Sequence, residues 1–216
     1  MSNLQSLLCC ELDSLQNKMY KCKTVHLRYS MLPEHRYFLL RQSVLGIYSE
    51  WEGFLKKTIA LYLQEINKEQ LSFSSLHDYY ISYQTDNVAK FKSPKTNYET
   101  IARLSRSLFE MYQGPVVFNT GVNTESNANL KVTNSILDKL CLKCLSPSYE
   151  GQLNKLLKFR NSIAHGDEGI PVSQSDIDSF TLLVQDLATD LLLSINEGFE
   201  SKVYLSHNNA MHAASA

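Results

Sequence analysis

The stretch Leu156-Leu157-Lys158-Phe159-Arg160-Asn161-Ser162-Ile163-Ala164-His165-Gly166 closes a predicted helix with a guanidinium, an amide and an imidazole, followed by glycine. These groups suit phosphate chemistry. Metal-free RNA cleavage needs a base for the 2′-OH proton, an acid for the leaving 5′-oxygen, and a cation for the charge on the phosphorane. His165 can serve as acid or base near neutral pH. Arg160 stays protonated and offers forked donors to non-bridging phosphate oxygens, while Asn161 can orient the phosphate or the imidazole. On a helix Asn161 and His165 are i, i+4 neighbours, and Arg160 is turned about 140° from His165, so it must reach round or the helix must loosen near Gly166. One copy lacks a second proton-transfer group. A two-fold dimer joining two motifs supplies it.

The same residues have plainer uses. Arg160 can pair with Asp167 or Glu168, and His165 can cap the helix C-terminus, where the dipole favours a cation. Lys131, Lys139, Lys143, Lys155, Lys158 and Arg160 form a basic run facing only Asp138 and Glu150, whereas residues 167–200 carry eight acids and no Lys or Arg. A solvated face explains such runs equally well. Lys90, Lys92, Lys95 and Arg103, interleaved with Tyr79, Tyr80, Tyr83 and Phe91, can hold single-stranded RNA by charge and stacking or simply form a solvated loop, and Lys155 is a further RNA-binding candidate.

The elements that position these groups read as helices. Leu4, Leu7, Leu8, Leu12, Leu15, Met19 and Cys22 form one stripe of a helix ending near residue 28. Pro33 suits a first helical turn, and the apolar periodicity from Tyr37 to Ile66 predicts a long central helix. Residues 67–97 read as a polar, aromatic surface insertion with at most one short helix, followed by a helix from Asn97 to Tyr112 ended by Gly114-Pro115. Val116-Val117-Phe118 is a candidate short strand within a loop around 113–133. Helices are then expected at Ser135–Leu145, Pro147–Ala164 and Ser173–Glu197. The fold class is an all-α antiparallel bundle, one domain over 1–199 with a C-terminal tail from 200 to 216 that is frayed or used in contacts.

Composition agrees. The chain has 216 residues, 44% of them hydrophobic, and a net charge of −1, enough to bury one core; eight Gly and five Pro are too few for a many-stranded sheet. The start lacks a basic segment and meets Glu11 and Asp13 before any signal-like apolar run, and no stretch reaches membrane-spanning length. A cytoplasmic protein with no membrane partner is therefore expected. Five cysteines read as reduced thiols; Cys141-Leu-Lys-Cys144 is half of a zinc pattern without its second half, so no metal or cofactor is expected. No GxxxxGK[ST] loop is present for nucleotide hydrolysis.

Arg160-Asn161-x-x-Ala164-His165-Gly166 at a helix end, followed by a loop and a long apolar helix, resembles the HEPN superfamily, whose ribonuclease members carry Arg, a polar residue and a His after a short gap. Val44-Leu45-Gly46-Ile47-Tyr48-Ser49-Glu50-Trp51-Glu52-Gly53-Phe54 also looks like the second-helix signature of the MAE-type prokaryotic branch, often found in defence loci. The resemblance implies a HEPN-like helical domain that forms a homodimer through its Arg160–His165 helices. It implies metal-independent endoribonuclease activity with Arg160 and His165 as the active pair, Asn161 as polar helper, and Glu50 and Lys158 as supporting candidates. RNA is the implied partner, together with a toxin or abortive-infection role and a neighbour-encoded antitoxin or regulatory subunit. HEPN toxins whose His is followed two residues later by Tyr are departed from here, since position 167 is Asp, so the resemblance does not extend to control through modification of that Tyr. A catalytically silent HEPN module binding RNA, a nucleotide or a protein remains the alternative, as does a purely helical interaction protein.

Overall fold

The computed structural model describes residues 3–28, 31–89, 98–124, 127–167 and 169–206. Seven α-helices occur among them: α1 (Asn3–Thr24), α2 (Pro33–Lys68), α3 (Asp78–Ala89), α4 (Tyr98–Tyr112), α5 (Leu130–Lys139), α6 (Glu150–Ala164) and α7 (Gln174–Glu200). The fold is all-α, as the periodicity predicts.

Helix α2 is the axis of the molecule. Pro33 sits in its first turn and no proline follows before its end, so one helix of 36 residues, about 54 Å, runs unbroken. Its Val44, Ile47, Trp51, Leu55, Ile59 and Leu63 are buried among Leu4, Leu8, Leu15 and Met19 of α1 and Ile177, Val184, Leu187, Leu191 and Ile195 of α7. Gly46 allows a close approach, because a Cβ there would stand 3.3 Å from the Cys22 Sγ of α1. The start of α2 meets the segment before α7 through Tyr37 and Arg41, and its end meets the segment after α7 through Glu69 and Tyr204. Thus α2 and α7 run the same way, with α1 and α6 antiparallel to them. A capping box between Ser173 and Asp176 starts α7.

Four expectations need correction. Helix α5 begins at Leu130, five residues before the expected Ser135, because the Asn129 side chain accepts the Val132 N–H at 2.8 Å and caps it. It ends before Cys141, which takes a positive φ, and residues 140–145 are irregular, tied back by Asn134 to both backbone groups of Leu145. Residues 116–118 form no strand; Val116 donates to the Leu71 carbonyl and Asn67 brackets the backbone of Phe118.

The segment expected as a surface insertion is keyed into the core. Phe73, Leu76 and Tyr80 are buried, and the Tyr80 hydroxyl lies 2.6 Å from that of Tyr62 while donating to the Leu140 carbonyl. The core extends past the expected boundary at 199, and the first tail residues are used in contacts rather than frayed. Tyr204 is fully buried and donates to Glu69 at 2.7 Å, and residues 204–206 pair with the backbone of 75–77. Residues 207–216 lie outside the described part.

Candidate active site

The end of α6 is built by its own backbone. His165 is the C-cap and donates its N–H to the Asn161 carbonyl at 3.0 Å, Gly166 takes φ 78°, and Gly166 and Asp167 return N–H groups to Ile163 and Ser162. This is a Schellman closure, and it explains the glycine, whose lack of a Cβ makes the left-handed conformation cheap. The chain beyond is held by Arg41, buried in α2, which donates to the carbonyls of Asp167 and Ile170; the Tyr37 hydroxyl also donates to Ile170.

Arg160 points from α6 toward α2. Its guanidinium stacks over the Tyr48 ring at 4.4 Å and donates to the Asn161 Oδ1 at 2.8 Å. The ring is itself fixed, because the Tyr48 hydroxyl accepts the Ala128 N–H at 2.9 Å and Trp51 holds the Ala128 carbonyl at 3.0 Å. Burial raises the pKa of Tyr48, against the lowering pull of Ala128 and Arg160. Below it Glu52 accepts from Lys56 and from the Thr124 hydroxyl, each at 2.6 Å. Burial pushes the Glu52 carboxyl up, yet the hydrogen bonds from Lys56, Thr124 and Tyr48 outweigh it and the net shift is downward. A polar column on α2 thus backs the cation of α6.

The expected site residues fall into distinct places. Asn161 and His165 are exposed, with Lys158 on the same face of α6 at i, i+3 and i+7. Among the described residues Arg160 forms no ion pair with Asp167, whose side chain instead accepts the Gly169 N–H. Glu50 stands apart: it binds Lys18 of α1 at 2.8 Å. Lys155 is also committed elsewhere, reaching Asp176 at 2.8 Å and lying over the rings of Phe159 and Phe180. Arg103 is exposed on α4, and Lys90, Lys92 and Lys95 lie outside the described residues. Tyr48, Glu52, Arg41 and Thr124 are neighbours to which sequence reasoning assigned no role at the site. The one local hint is the i, i+4 ladder Tyr48, Glu52, Lys56 on an otherwise apolar helix.

No group of three or more His, Cys, Asp or Glu side chains suited to a metal occurs among the described residues. Cys141 reaches the His77 Nδ1 at 3.5 Å, whereas Cys144 turns to the Asn134 carbonyl, so the two thiols do not converge. Both thiol pKa values are raised, first by burial and then by Asp138.

The family comparison now bears on this geometry. The HEPN_MAE_28990-like HEPN family model matches residues 7–204. The chain is a HEPN domain. Comparison with curated proteins and with solved structures gave no match. The matched span of this HEPN domain ends at Tyr204, the last aromatic residue of the core, and contains both the α2 column and the α6 motif. No helix among its described residues is long and apolar enough to cross a membrane.

Proposed function

We propose that this HEPN domain is a metal-independent endoribonuclease that works as a homodimer joined at the α6 ends. The observation that carries the reading is the Arg160 guanidinium, set between the Tyr48 ring and the Asn161 amide, with the exposed His165 imidazole one turn beyond Asn161. A cation so fixed can face a phosphate without reorganising during the reaction. One His165 removes the 2′-OH proton as that oxygen bonds to phosphorus, the partner's His165 protonates the departing 5′-oxygen as its bond breaks, and Arg160 stabilises the charge between. The products are a 2′,3′-cyclic phosphate and a 5′-hydroxyl. A toxin or anti-phage role, restrained by a neighbour-encoded subunit, fits such an activity.

The test is incubation of wild type and His165→Ala with total cellular RNA in excess EDTA, after light scattering shows the same oligomer for both. Cleavage by wild type alone, leaving cyclic phosphate ends, is the expected result. Equal cleavage by both proteins, or RNA bound tightly by both and cut by neither, overturns the proposal; the second result makes the domain an RNA-binding module.

A further inference from the structure

An open cavity of about 370 Å³ lies between α3 and α5, lined by Tyr79, Ser82, Tyr83, Asp138 and Lys139. Its size falls within the range of small-ligand pockets. Tyr79 and Tyr83 are one turn apart on α3, so their rings share a wall, and Asp138 and Lys139 stand on α5. Tyr79 is 52% exposed, and its ring is oriented by the His77 ring, edge-on at 5.4 Å. The exposed Asp138 and Lys139 form no ion pair among the described residues, although their charges are opposite and adjacent. The walls are held in register by the buried Tyr80, whose hydroxyl joins Tyr62 of α2 and the Leu140 carbonyl that follows α5. The two helices that form its walls are therefore fixed relative to each other.

We propose that this cleft binds one unpaired guanine nucleotide of the RNA substrate, a second contact distinct from the α6 motif. The inference rests on the RNA-cleaving reading for its biological use. Stacking on a tyrosine face suits any base, but a carboxylate is an acceptor only, and among the bases guanine offers two adjacent donors, N1–H and N2–H, on one edge. Asp138 takes those donors, Tyr79 stacks on the ring, and Lys139 meets the flanking phosphate. Uracil and cytosine lack the paired donors, and adenine turns an acceptor, N1, toward the carboxylate. Along α2 the separation of fourteen positions from Tyr48 to Tyr62 spans about 21 Å, so the cleft reads a base at a distance from the bond that is cut.

The test uses the full chain and 2′-O-methyl pentanucleotides with G or A at the centre of a uridine run, which 2′-OH attack cannot cleave. Titration calorimetry is expected to give about tenfold tighter binding of the G oligonucleotide. Tyr79→Ala should weaken both by about 5- to 100-fold. Asp138→Asn has a signature that loss of fold cannot mimic: the preference for G disappears while affinity for the A oligonucleotide holds or rises, because a negative charge has been removed. Equal binding of G and A by wild type, or a preference unchanged in Asp138→Asn, overturns the inference. RNA cutting by wild type without any G preference sinks the cleft and leaves the nuclease; G-selective binding without cutting does the reverse.

Discussion

Removing the Tyr48 hydroxyl and removing the Tyr48 ring should have separable effects. Tyr48 is 2% exposed, and its hydroxyl accepts the Ala128 N–H at 2.9 Å. Tyr48→Phe leaves that amide without its partner, which costs about 1–3 kcal/mol for a buried donor. For a chain of this size the expected fall in Tm is about 2–12 °C. The ring remains, so Arg160 keeps its platform and RNA cleavage should stay within about threefold of wild type. Tyr48→Leu adds the loss of the guanidinium–ring contact, about 0.5–2 kcal/mol, and frees Arg160 to leave its place. Misplacing a group that must meet the transition state by about 1 Å can cost about 100-fold, so cleavage by Tyr48→Leu should fall by about that factor at a temperature where the protein remains folded. Thermal unfolding followed by circular dichroism and a fluorogenic RNA cleavage assay in EDTA read the two effects. Equal stability of wild type and Tyr48→Phe refutes the anchoring of the hydroxyl by Ala128, and full cleavage by a folded Tyr48→Leu refutes the view that α2 positions the cation.

Arg41→Met should loosen residues 167–170 by removing the donor to two carbonyls; amide hydrogen exchange there should quicken and kcat fall, with KM for RNA little changed. Glu52 gives a pH dependence. Its folded pKa lies below its ordinary value near 4.5, so its stabilisation is fully present above that pH and is lost as pH falls through the lower folded pKa. Acid unfolding of Glu52→Gln compared with wild type should show a shallower decline below about pH 4.5, and identical acid limbs would count against the Glu52 network.

Local signals in the chain determined most of the helices. The Tyr37–Ile66 periodicity and Pro33 are short-range properties of α2, and Gly166 announces the end of α6 because only a residue without a Cβ enters the left-handed region cheaply. The Arg160-Asn161-His165 set was legible for the same reason, being contained in six consecutive residues of one helix end. Its surroundings were not. The Tyr48 ring under Arg160 and the Arg41 clamp join residues more than 100 positions apart, and such pairings follow from packing α6 against α2 rather than from any period. The same holds for Glu50 and Glu52, two residues apart on α2: that Lys18 of α1 meets the first and Thr124 the second follows from packing. Tyr204 is the clearest case. Its polar neighbours left open a tail either frayed or used in contacts, yet a buried slot between Tyr80, Phe199 and Glu69 makes it core, because the free energy of burying an aromatic ring depends on a cavity that only the assembled fold provides.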